Sequence, residues 1–167
     1  MLTSRRDYIL RIIDEVGLLL RRVLQQRTAG RPEEALQSVV AACERLFQME
    51  AAHLFQFTPD QHVAMLAEGE PPEITRDKVL LYAALNQEAG RCYRVLGNLA
   101  LSRQSFLNAL RLTARARQTG PTEGWPAYAP VPADLLKDLG GAPLDAETVA
   151  LLDAAGLASQ APPNSSP

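Results

Sequence analysis

Apolar side chains return every three or four positions along most of this chain, in blocks separated by glycine and proline. Ile9, Ile12, Ile13, Val16, Leu19, Leu20, Val23 and Leu24 form the first block, the spacing of one face of an α-helix. Ser4, with Asp7 three residues on, reads as a capping box at its start, because a hydroxyl oxygen accepts an otherwise unpaired amide of the first turn. The pattern predicts a helix from about residue 4 to residue 28. Tyr8, Leu10 and Leu18 widen its apolar arc, so this helix should touch neighbours on more than one side.

Gly30 ends that block, and Pro32, Glu33 and Glu34 open the next. Proline loses nothing at the first helical position, and carboxylates favour the positive end of the helix dipole. This second helix should reach Phe47 and bury Leu36, Val39, Val40, Cys43, Leu46 and Phe47. In the less regular stretch that follows, AAHLFQF predicts a short helix, and TPDQHVAMLAEG predicts another, capped by Thr58, with Pro59 in its first turn and a stop at Gly69. Val79, Leu80, Tyr82, Ala83, Leu85, Ala89, Tyr93, Val95 and Leu96 mark a long helix over 74–96, with a partner over 99–119. Five prolines then divide residues 121–144 into loop with a short helix at ADLLKDL, and LDAETVALLDAAG predicts a last helix ending at Gly156. No strand-like alternation occurs, so the expected fold is all-α. Residues 1–120 form a helical domain with hairpins near 4–48 and 74–119 and an insertion at 50–70. Residues 121–156 pack on or cap it, and residues 157–167 are expected to be a disordered tail.

A chain of 167 residues, 47% hydrophobic, can bury one sizeable core. Its formal charge of −2 and pI near 5.7 exclude the strongly basic balance of a protein held on nucleic acid by counterion release. Charge is unevenly spread: residues 1–31 carry +4, 32–78 carry −6, 85–117 carry +5 and 118–167 carry −5. Such alternating blocks predict complementarity between helices stacked within one molecule. Cys43 and Cys92, without a CxxC pair, read as buried, reduced thiols. SRR followed by YILRII and VGLLL mimics a signal peptide, but Asp14, Glu15, Arg21 and Arg22 interrupt it. No apolar run approaches the roughly 18 residues of a membrane span, and a cytoplasmic protein is expected.

Within GRCYRVLGNLALSRQSFLNALRL, residues 90–112, Gly90, Tyr93, Gly97, Ser102, Phe106 and Ala109 stand at intervals that suit two crossing helices. Small residues belong where the helices approach, aromatics fill the wedges beside the crossing, and Gly97 suits the turn. This spacing resembles the tetratricopeptide repeat (TPR), a 34-residue helical hairpin. Shifted by 67 positions, the same frame sets Gly30 at a turn, Ala35 at the small position, Val39 at the aromatic one and Ala42-Cys43 after it, with Val23 and Gln26 replacing glycine and tyrosine. Together with RRDYILRIIDEVG, GRPEEAL and TPDQHVAML, the chain resembles an uncharacterised bacterial family of TPR-like proteins over residues 5–116. The resemblance implies a short α-solenoid of antiparallel helical hairpins and no particular activity.

Catalytic chemistry finds little support. His53 and His62, with Glu50, Asp60 and Glu68 near them in sequence, lack helical ligand spacing, so no metal is expected. An apolar surround suppresses the thiolates of Cys43 and Cys92, and Gly140-Gly141 is followed by Ala142-Pro143, which makes no phosphate loop. No enzyme and no cofactor are therefore expected. In the repeat fold the first helix of each hairpin lines a concave groove, and the resemblance sets Gln87, Arg91, Arg94 and Asn98 there. Guanidinium forks suit carboxylates, so the expected partner is a protein or acidic peptide, unless an acidic segment of the chain itself fills the groove. The wide arc of residues 8–24 suggests a homodimer through that face. Binding of nucleic acid through Arg5, Arg6 and Arg11 is the alternative, weakened by 5% aromatic content.

Overall fold

A computed structural model describes residues 4–119, 123–141 and 143–157, and these contain eight helices and no strand. They are α1 (Arg5–Thr28), α2 (Pro32–Phe47), α3 (Ala51–Leu54), α4 (Pro59–Ala67), α5 (Pro72–Val95), α6 (Leu99–Thr119), α7 (Pro132–Asp138) and α8 (Ala146–Ala154). Local chemistry sets most of their ends. The Ser4 hydroxyl accepts the amide of Asp7, while the reciprocal capping box is the one at Thr58 and Gln61. Prolines open α2, α4, α5 and α7, where their missing N–H has no partner to lose.

α1 with α2, and α5 with α6, form antiparallel hairpins closed by the same turn. Gly30 (φ 78°) donates to Arg27 and Arg31 donates to Gln26, at 3.1 and 2.9 Å; Gly97 (φ 80°) donates to Arg94 and Asn98 to Tyr93, again at 3.1 and 2.9 Å. Both are Schellman closures, which need a left-handed residue that glycine adopts without a Cβ clash. The two turns stand 67 residues apart. Side chains at matching positions are buried alike: Ala35 and Ser102, Val39 and Phe106, Ala42 and Ala109, Cys43 and Leu110.

The crossing of α5 and α6 is tight. A Cβ on Gly90 would lie 2.7 Å from Phe106 Cε1, and the Ser102 hydroxyl donates to the Gly90 carbonyl at 2.8 Å. In the first hairpin Gln26 replaces the tyrosine, and its side-chain oxygen accepts from the buried Ser38 hydroxyl at 2.6 Å. A polar side chain there is satisfied by a polar partner on the facing helix.

α5 is the central helix, packed by α1, α2, α4 and α6, and nearly all of its residues from Ile74 to Cys92 are buried. One core joins α1, α2, α4 and α5 with Leu112 and Ala116 of α6. A second core lies on another face of α6, where Phe106, Ala109 and Leu110 meet Leu135, Leu136 and Leu139 from the α7 region and Leu152 of α8. Leu157, expected to open a disordered tail, is 1% exposed in this second core, because Gly156 turns the chain back and Leu157 donates to the Leu152 carbonyl. Residues 158–167 lie outside the described residues. The wide arc of α1 is largely covered within the chain: Ile9, Ile12, Val16, Leu20 and Val23 are buried against α2 and α5, leaving Tyr8, Leu10, Leu18 and Leu24 outside.

Candidate functional site

α1 and α5 lie side by side as the first helices of their hairpins, and a cleft of about 430 Å³ opens between them. Leu20 and Leu24 of α1 and Ala84 of α5 supply apolar lining, Gln87, Glu88 and Arg91 of α5 and Arg21 of α1 supply polar groups, and residues 127–131 with Asp134 close the far side. The far wall is held by long-range hydrogen bonds. Arg76 on the first half of α5 donates to the carbonyls of Glu123 and Gly124, and the Tyr128 hydroxyl donates to the Asp77 carbonyl at 3.1 Å. Burial pushes the Tyr128 hydroxyl well above its ordinary pKa, so it stays a donor. The chain thus returns along α5 from its N-terminal half to α7.

The four residues expected on the groove separate into two pairs. Gln87 and Arg91 line the cleft. Arg94 does not: its guanidinium carbon lies 4.8 Å over the Phe106 ring and it donates to the Asp138 carbonyl at 2.9 Å, with a carboxylate oxygen at 3.3 Å. Asn98 caps α6, its side-chain oxygen accepting from the Leu101 amide at 3.2 Å.

Both arginines meet the chain's own acids. Arg27 of α1 reaches Glu88 at 2.6 Å, Glu88 reaches Arg91 at 2.9 Å, and Arg91 and Arg94 converge on Asp138 at 3.7 and 3.3 Å. Glu88 is 5% exposed at its side chain, and a carboxylate so enclosed needs both cations. The same complementarity recurs elsewhere: Arg5 with Glu70, Arg45 with Glu15, Arg111 with Asp145, Arg115 with Asp60. Most of these pairs join a basic block of the sequence to an acidic one. Arg21 differs, being exposed on the cleft rim with no ion pair among the described residues.

The α1 half of the cleft carries its own sequence signal. Shifting Gln87 and Arg91 back by 67 positions names Leu20 and Leu24, which line it. Gly17 was the other signal. It lies mid-helix, where glycine costs about 1 kcal/mol against alanine, yet a Cβ there would meet no atom within 4 Å.

Other chemistry is sequestered. Burial raises the Cys43 thiol to about 12 and also raises Cys92. His62 is 4% exposed, its Nε2 donating to the Leu54 carbonyl at 2.8 Å while Nδ1 accepts from the Tyr82 hydroxyl at 3.0 Å. Among the described residues no three His, Cys, Asp or Glu side chains converge as metal ligands, and no helix is long and apolar enough to cross a membrane. No family model, curated protein or solved structure matches this chain.

Proposed function

We propose that this chain is a non-enzymatic interaction module on a short TPR-like solenoid, and that its α1–α5 cleft holds an extended, acidic segment of another protein. The solenoid reading is supported by the two hairpins closed by one turn geometry 67 residues apart, with α5 packed on both helices of the preceding hairpin. The observation that carries the binding reading is Gly17. A mid-helix glycine with open space before it, on the lip of a cleft, gives up stability without easing any contact inside the chain. A ligand backbone approaching α1 closely explains that sacrifice. Arg21 beside it supplies a guanidinium fork for a carboxylate, and Leu20, Leu24 and Ala84 accept an apolar side chain.

Selection from a random displayed-peptide library tests this. The wild-type chain should enrich acidic sequences with one apolar anchor, whose binding weakens as salt rises. Gly17→Gln and Arg21→Glu should each lose those peptides while melting no lower than wild type. Peptides retained by both variants would contradict the assignment.

A further inference from the structure

On the opposite side of α5, residues 55–59, α5 and α6 enclose a second cleft of about 250 Å³. His62 and Tyr82, 4% and 6% exposed, border it and are locked together by their hydrogen bond. The Phe47 ring stacks edge-on to Tyr82 with centroids 4.9 Å apart, and burial raises the Tyr82 hydroxyl well above its ordinary pKa. The hydrogen bond and the ring contacts hold both polar rings rigid, and Tyr82 keeps its proton. Three carboxamides, Asn86, Gln104 and Asn108, line the cleft, as do Phe55 and Phe57.

The lining contains no Asp, Glu, Lys or Arg, although this chain places charged residues around the α1–α5 cleft. A charged ligand would lose its hydration here without gaining a counter-ion, which is costly. A neutral planar one loses little and finds aromatic faces to stack on. The carboxamides have capacity to spare: Asn86 uses its NH₂ on the Tyr82 carbonyl at 2.9 Å, and Gln104 uses its own on Asn108 at 3.1 Å. That leaves the Asn86 oxygen, the Gln104 oxygen and the Asn108 NH₂ for a ligand, a mixed donor and acceptor set that matches another carboxamide. Phe55 is 54% exposed, at the edge where such a ring would be covered.

We infer that this cleft is a binding site for an uncharged planar ligand bearing a carboxamide, the size of one aromatic ring, separate from the α1–α5 cleft. Benzamide is the probe and benzoate its charged twin, titrated into the full chain while the side-chain NH₂ resonances of Asn86, Gln104 and Asn108 are followed by NMR. Benzamide should shift them saturably with a Kd in the millimolar range, on the order of 1–10 mM for so small a ligand. Benzoate should bind at least about tenfold more weakly, and Asn108→Leu should weaken benzamide by about tenfold. Gln104→Leu, at an exposed position, serves the same comparison if Asn108→Leu does not fold. Equal binding of benzoate, no saturable shift, or benzamide binding untouched by the folded variant would overturn the inference.

Discussion

Replacing Gly90 and, separately, Gly17 by alanine should move stability in opposite directions. Each sits inside a helix of 24 residues, and helix propensity alone favours alanine by about 1 kcal/mol at both. At Gly17 the new methyl meets nothing within 4 Å, so Gly17→Ala should show that gain nearly in full. At Gly90 the methyl would stand 2.7, 2.8 and 3.0 Å from three atoms of the Phe106 ring, where ordinary contact is 3.4–4 Å. That ring is 1% exposed and has the Arg94 guanidinium over its face, so it has no open direction to move in. Overpacking costs about 1–3 kcal/mol, and striking three atoms of an enclosed ring belongs in the upper part of that range. Subtracting the propensity gain leaves a net loss of about 1–2 kcal/mol, or roughly 2–8 °C in Tm for a chain of this size. Urea and thermal denaturation of both variants measure this. Phe106→Leu in the Gly90→Ala background should show a favourable coupling in the double-mutant cycle, because the clash partner is gone. If Gly90→Ala raises Tm as Gly17→Ala does, the close crossing of α5 and α6 is wrong.

Further outcomes follow from the packing. Asp145 caps α8 through the Thr148 amide at 2.8 Å and takes Arg111 on both oxygens, so Asp145→Ala should cost about 1 kcal/mol in urea titration, mostly as a lost cap. The Thr148 amide, foremost, holds the Asp145 carboxyl below its ordinary 3.8; its contribution is therefore present above that value and fades as pH falls through the lower folded one. Asp145→Asn should accordingly flatten the acid limb of Tm below about pH 4. Cys43 and Cys92 are both buried, and a thiol reagent at neutral pH should label neither until denaturant is added. His62→Ala takes the ring partner from the Tyr82 hydroxyl and leaves the Leu54 carbonyl with the Phe57 amide alone, at 3.2 Å; it should cost roughly 2–4 kcal/mol, mostly as a buried cavity, with lost amide-exchange protection at Leu54–Phe57. Arg91→Glu with Arg94→Glu sets new carboxylates beside Glu88 and Asp138 and should lower stability by about 3 kcal/mol, whereas an unchanged Tm would make both arginines mere surface charges.

Helix boundaries were readable because their causes are local. Pro32 and Pro59 open helices, and Gly30, Gly97 and Gly156 close them, all within one turn of the residue concerned; Pro132, which reads as a loop breaker, opens α7 instead. The close approach of α5 and α6 at Gly90 and Ser102 was readable because small residues stand where two helices cross, whereas the Phe106 ring, expected in a wedge beside the crossing, lies against Gly90 itself. The far wall of the cleft was not, since Tyr128 reaches the Asp77 carbonyl across 51 positions from a loop without periodicity. Arg94 shows a different limit. It stands three residues after Arg91, about 60° away around the helix, enough for one side chain to enter the cleft while the other crosses to Phe106 and α7. His62 looked like an ordinary histidine on a short helix because its partners, a main-chain carbonyl and a tyrosine 20 positions on, leave no mark in its own neighbourhood.

The binding assignment to the α1–α5 cleft is tested most directly by mapping a selected acidic peptide onto the folded chain with backbone amide NMR. The account predicts saturable shifts along one side of α1 from Gly17 to Leu24, along α5 from Ala84 to Arg91, and in residues 127–134, with a Kd that rises with salt. Shifts gathered instead around Asn86, Gln104 and Asn108, or along the outer face of α1 at Arg11, Leu18 and Arg22, would contradict it.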